Sequence, residues 1–375
     1  MRPHRSLTLL LPFLSITPLI GCGAADPPPA LPPAQPGWTV SREAPVLPAG
    51  MLRPRALWND PSVVRTPDGY AMYLTTSTQE PFKPPVLPFR AVSRDGRHWT
   101  LAPQTPLLSP EGSPYVSIET PSVVRFRDQW WMAFTGIHPA GAPSPMAIGL
   151  AVSPDGTDWR VAQWTLLRAT GGATDWNGYL VGEPGAVVHD GHLLIYFSAV
   201  GARPGGGPPL QSIGLISSAD GARFTAPRQI LRQGPLYPSS GGYAGYSAPA
   251  AVARPATAGG GIDLFYSVAH VAKGADPEWQ QVAIHRARSA DGLPPFHEED
   301  APVLTRDSTG WTDGEILAPA PLIDGDTLKL WFGGHVALPR LAPLLHRGVS
   351  GPEFGIGLAT HPLNAPAGPR KGTIR

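Results

Sequence analysis

Pro61-Ser62-Val63-Val64, followed from Asp68 by D-G-Y-A-M-Y-L-T-T, decides the fold, because the chain repeats it. Pro121 opens P-S-V-V again, before D-Q-W-W-M-A-F-T-G from Asp128. Pro184 opens P-G-A-V-V before D-G-H-L-L-I-Y-F-S, and Pro249 opens P-A-A-V before G-I-D-L-F-Y-S-V. Pro319 opens P-A-P-L-I before G-D-T-L-K-L-W-F-G, and the five prolines lie 60, 63, 65 and 70 residues apart. The first four units continue with a Ser-x-Asp-Gly segment, at Ser93, Ser153, Ser218 and Ser289; the fifth has only G-I-G-L-A-T-H-P from Gly355. Short β-branched and aromatic runs bounded by Asp-Gly turns read as strands joined by hairpins. Four strands per unit and five units predict an all-β chain, a five-bladed β-propeller of four-stranded blades over residues 46–365. A pair of stacked sandwiches would not explain five units in one register.

Composition agrees. The 48 Pro and 43 Gly would suit disorder, but they are dispersed between apolar runs that carry 11 Trp and 11 Phe. A net charge of +1, with no basic run interleaved with aromatics, argues against a nucleic-acid partner.

The N-terminus stands apart. Arg2 and Arg5 precede an apolar run from Leu7 to Ile20 that Pro12 and Pro18 break, too short to span a bilayer and suited to an export signal. L-I-G-C then resembles the bacterial lipobox, in which the cysteine is lipidated and becomes the new N-terminus. Cys22 is the one cysteine of the chain, which fits. An ordinary signal peptide cleaved near Ala24 or Ala25 is the alternative. The expectation is a lipoprotein signal over residues 1–22, a stiff Pro-rich spacer over 23–45 and a frayed tail over 366–375. Such a chain would sit lipid-anchored on the extracytoplasmic side of a bacterial cell envelope.

In a propeller the innermost strand of each blade, strand A, lines a central channel. Its start shares a face with the B-to-C connections, and these look long: 77–90, 136–146, 200–211, 270–281 and 334–353. Long loops on one face of a rigid scaffold frame sites. The residues before the repeat prolines are N-D-P, E-T-P, G-E-P, S-A-P and L-A-P, so Asp60, Glu119 and Glu183 bring carboxylates to that face in three blades of five. Were acids needed to close the ring, all five blades would want one; three converging acids suggest chemistry.

These openings, with the S-x-D-G-x-x-W segments, resemble the five-bladed propeller glycosidases, glycoside hydrolase family 43 and the invertase-like families, across about residues 50–360. The resemblance implies that Asp60 is general base or nucleophile and Glu183 the proton donor. An acid in the second blade would tune the donor or stabilise the transition state. Here the pattern departs: Thr120 holds that position and Glu119 precedes it, which in a regular strand would turn Glu119 to the other side. The chemistry asks independently for one ionised and one protonated carboxyl flanking the bond, and a Glu in a dry pocket near other acids suits the donor. The implied partner is an oligo- or polysaccharide. No cofactor is required, although relatives with a channel calcium beside a histidine leave that ion open; no spacing matches a zinc site.

Sugars present flat C–H faces, so Trp58, Trp176, Tyr246 and Trp311 are candidate platforms on the D-to-A connections, and Asn59 and His335 candidate hydrogen-bonding groups. Packing between blades is the competing role for each aromatic. His138 and His270 end B strands as His335 does. The rival function is a non-catalytic carbohydrate-binding propeller lipoprotein.

Overall fold

Proline has no N–H to give a sheet ladder, so a strand that contains one must skip a pairing. All five A strands do so at the repeat proline. The register jumps between Asn59 and Ser62, Glu119 and Ser122, Gly182 and Gly185, Ser247 and Ala250, and Leu317 and Ala320. The residue before each proline is left-handed, with φ of 52° at Asp60, 49° at Thr120, 48° at Glu183, 45° at Ala248 and 50° at Ala318. A β-branched Thr and two alanines in this region are outliers, and the strain persists because the surrounding sheets hold it.

The computed structural model describes residues 31–42, 44–52, 58–79, 83–271, 279–337 and 354–363. Cys22, the export signal and the tail lie outside them. The first strand, β1 (Thr39–Val40), precedes the repeats. Blade 1 is β2 (Asn59–Thr66), β3 (Gly69–Gln79), β4 (Lys83–Ser93) and β5 (Thr100–Leu101). Blade 2 is β6 (Ser117–Phe126), β7 (Gln129–Ile137), β8 (Met146–Ser153) and β9 (Arg160–Arg168). Blade 3 is β10 (Leu180–His189), β11 (His192–Gly201), β12 (Leu210–Ser218) and β13 (Arg228–Arg232). Blade 4 is β14 (Tyr243–Ala253), β15 (Ile262–Val271) and β16 (Trp279–Ser289), its outer strand split into β17 (His297–Glu298) and β18 (Leu304–Thr305). Blade 5 is β19 (Glu315–Asp324), β20 (Thr327–His335) and β21 (Gly355–Pro362).

The missing fourth strand of blade 5 is β1. Thr39 pairs with Thr360 and Val40 with Ala359, so the N-terminal segment closes the ring. Trp38 meets Phe265 edge-on at 6.4 Å, and the Gln35 N–H donates to Pro302 O at 2.8 Å. The spacer expected over 23–45 therefore stops short, because an uncovered β21 edge would leave ladder groups unpaired and Thr39 and Val40 cover it. In blade 1 the long connection expected over 77–90 is instead an extended hairpin, with Gln79 opposite Lys83.

Blades are joined side by side through small polar residues. Ser62 Oγ accepts the Val123 N–H at 2.9 Å and Ser122 Oγ accepts that of Ala186 at 2.8 Å, which accounts for the serine of P-S-V-V. The Ser-x-Asp-Gly segments are self-bonded turns. In the first, Asp95 Oδ1 accepts the N–H groups of Arg97 and His98 and Ser93 Oγ that of Gly96. The turn glycine then receives an aromatic of another blade: Tyr73 Oη donates to Gly156 O at 2.9 Å, Tyr196 Oη to Gly292 O at 2.8 Å and Trp331 Nε1 to Gly96 O at 3.0 Å. Inside the ring the five A strands enclose a channel cavity of about 350 Å³, lined by the repeat prolines and by Asp60, Thr120 and Glu183.

Candidate active site at the channel mouth

The left-handed bulge turns the residue before each proline onto the channel lining. In blade 1 that residue is Asp60, 8% exposed, with the Thr75 hydroxyl bonded to its carboxyl and Oδ2 buried without a partner. In blade 3 it is the half-buried Glu183, whose Oε2 accepts the Ser198 hydroxyl at 2.6 Å and the Ala248 N–H at 3.0 Å. In blade 2 it is Thr120, whose hydroxyl meets that of Thr135. Blades 4 and 5 put only methyl groups there, at Ala248 and Ala318.

Glu119, one residue earlier and 4% exposed, does not line the cavity but lies near enough to feel the charges of Asp60 and Glu183. Burial pushes its carboxyl up to about 8, with the charges of Asp60 and Glu183 adding to the rise. Burial also pushes Asp60 up to about 7, helped by Glu183 and opposed by the Thr75 hydrogen bond. Glu183 rises through burial as well, against the pull of its two donors, Ser198 and Ala248. Three carboxyls from three successive blades thus share one field, and near neutral pH the group holds both protons and charge. The one-residue offset of Glu119 does not exile it, because the ladder is interrupted at that point rather than alternating.

The aromatic platforms fare differently. Trp58 is fully buried in the core shared by blades 1, 2 and 5, and Tyr246 is fully buried with its hydroxyl on Glu298 at 3.3 Å. Trp311 stacks flat on Phe332 with centroids 5.8 Å apart, and half-buried Trp176 packs on Phe197 at 6.0 Å. Trp58, Tyr246 and Trp311 have no ring face left for a sugar, so their assignment as platforms is corrected to packing between blades. Asn59 is 6% exposed, and its Oδ1 lies 2.1 Å from where a Cβ on Gly333 would stand, so it fills the seam between blades 5 and 1. Sequence reasoning passed over Thr75, Ser198 and Glu315, none of which adjoins a repeat proline.

His335, 8% exposed, presents Nδ1 to Val336 O at 2.8 Å and Nε2 to Glu315 Oε2 at 3.0 Å. Glu315 Oε1 in turn accepts the Gln281 N–H at 2.8 Å, so the pair ties β16, β19 and β20 together. Both ring nitrogens are engaged, and among the described residues no three of His, Cys, Asp and Glu are grouped to hold a metal ion. His335 therefore has no ring nitrogen left for a channel calcium.

No family profile matches the sequence, and no curated protein is detectably similar to it. Solved structures are similar in fold. A thermostable family-43 glycoside hydrolase superposes with a TM-score of 0.58 at 15% identity, covering 85% of this chain and 96% of that one. The catalytic domain of the Coprinopsis cinerea GH62 alpha-L-arabinofuranosidase gives 0.55 at 13%, covering 87% and 97%. A beta-1,2-mannobiose phosphorylase from Listeria innocua gives 0.55 at 14%, covering 88% and 92%. At such identities the likeness establishes the five-bladed propeller and leaves the chemistry to the residues at the mouth.

Proposed function

We propose that this propeller hydrolyses glycosidic bonds in an extracytoplasmic oligo- or polysaccharide, using Asp60 and Glu183 as the paired carboxyls. The observation that carries the reading is that Asp60 and Glu183, 123 residues apart in sequence, line one channel cavity, where the charge of Glu183 raises Asp60. Similar structures named as glycoside hydrolases support it through the fold they share.

The roles are those that the resemblance implies, Asp60 as base or nucleophile and Glu183 as proton donor. Burial holds Asp60 at about 7, so near neutral pH it supplies an ionised carboxylate and serves as base or nucleophile. Glu183, raised by burial against the pull of Ser198 and Ala248, delivers a proton to the departing glycosidic oxygen as the C–O bond breaks. Glu119, pushed up to about 8, stays neutral beside them and keeps a second negative charge from accumulating while Asp60 is ionised. Activity should climb as pH rises through about 7, where Asp60 loses its proton.

Aryl glycosides test the assignment. Asp60→Asn should lower kcat by ~10³-fold or more on every substrate, whereas Glu183→Gln should cost ~10²–10⁴-fold on alkyl linkages and far less on aryl glycosides with acidic phenols, which leave unprotonated. Equal losses on both leaving groups would remove Glu183 from the donor role. One observation favours a second reading, a carbohydrate-binding propeller without turnover: Thr120 stands where the resemblance asks for an acid. Saccharide binding by calorimetry, with no hydrolysis in wild type at any pH from 5 to 9, would select it.

A further inference from the structure

Thr75, Thr135, Ser198 and Ser267 occupy one place in the B strands of blades 1 to 4. Each hydroxyl oxygen accepts the N–H of the left-handed residue in the next blade: Thr120 at 3.0 Å, Glu183 at 2.8 Å, Ala248 at 2.8 Å and Ala318 at 3.1 Å. A hydroxyl has one proton, and with its oxygen engaged by the next blade that proton is left for its own blade. In blade 3 it goes to Glu183 Oε2 at 2.6 Å, which also accepts the Ala248 N–H at 3.0 Å. Oε2 thus takes the Ser198 proton and one arm of the Ala248 N–H, which forks between Ser198 Oγ and Oε2. The proton of the neutral acid has only Oε1 to occupy.

We propose that Ser198 is a positioning residue for the acid step as well as a latch between blades: by filling Oε2 of Glu183 it reserves Oε1 for the transferable proton. This rests on the reading of Glu183 as proton donor. In that step the Oε1–H bond breaks, the proton joins the glycosidic oxygen, and that oxygen keeps the electron pair of the broken C–O bond. Glu183 is left as a carboxylate, and the Ser198 hydroxyl and Ala248 N–H are already in place to stabilise it. The titratable groups that feel the charge of Glu183 are Asp60 from blade 1 and Glu119 from blade 2; blades 4 and 5 present Ala248 and Ala318. Ser267 supplies the internal comparison. It makes the same latch, to Ala318, but its blade carries Ala248 in place of an acid.

The test uses the full chain with Ser198→Ala, Ser198→Thr and Ser267→Ala. Titration of Glu183 is followed by carboxyl ¹³C NMR on glutamate-labelled protein and assigned with Glu183→Gln. Ser198→Ala should fold, since the Ala248 N–H keeps Glu183 Oε2 as acceptor. Its Glu183 midpoint should rise by about one pH unit, the size of a lost hydrogen bond to a charged group. Ser198→Thr should restore the midpoint, and Ser267→Ala should leave it unmoved while losing thermal stability. On hydrolysed substrates the alkaline limb of kcat should move up with the midpoint. An unmoved midpoint in Ser198→Ala, or an equal shift in Ser267→Ala, overturns the proposal. The NMR midpoint needs no turnover, so a protein inactive on every glycoside would refute the hydrolase reading and leave this result standing on its own.

Discussion

Asp60 and Glu119 show at single residues what the site costs the fold. In the unfolded chain such carboxyls ionise near pH 4, but here they hold protons to about 7 and about 8. Between those limits the folded state binds more protons than the unfolded one, so stability is fullest below about pH 4 and drains as pH rises towards 8. Glu119→Gln keeps the shape and removes the titration. It should raise stability over wild type by roughly 2 kcal/mol at pH 8 and by little at pH 4, read as paired unfolding curves at the two pH values. A gain that is the same at both would mean Glu119 does not titrate with its neighbours. Trp58 and Tyr246 carry the opposite lesson: aromatics just ahead of a repeat proline are taken into the core, because a buried ring contributes more to blade packing than an exposed one could.

At the level of the strand, the repeat proline is the organising residue. It breaks each A ladder and leaves the residue before it left-handed on the channel lining, where blades 1 and 3 place the carboxyls of Asp60 and Glu183. The next position behaves differently around the ring. Ser62 and Ser122 latch the following blade, but a Cβ on Gly185 would lie 2.0 Å from Pro249 O. Restoring the repeat with Gly185→Ser should therefore destabilise the protein by about 2 kcal/mol or more, although the sequence pattern recommends it. Chemical denaturation of this variant beside Ser122→Gly checks it; a neutral or stabilising Gly185→Ser would show that blades 3 and 4 can separate freely.

For the molecule as a whole, closure depends on a segment far from its partner in sequence. Deleting residues 31–41 removes β1, Trp38 and the Gln35 bond to Pro302, and should lower Tm by about 5 °C or more. An unchanged Tm would mean that blade 5 is stable with three strands. The proposed anchor is tested separately: Cys22→Ser should move the protein from the membrane fraction to the soluble one in a bacterial host that processes lipoproteins.

Five units, their strand order and the face bearing the acids were legible in the sequence, since prolines, Asp-Gly turns and β-branched runs act locally and repeat. So were Asp60 and Glu183, each fixed beside a repeat proline. Three things were decided only in three dimensions. Whether Glu119 reaches the other acids depends on a bulge that suspends strand alternation. Which aromatics stay accessible depends on how neighbouring blades meet. The strand that shuts the ring, Thr39–Val40, is two residues long and lies some 320 positions from Thr360, and so short a run acquires meaning only from the edge that needs it.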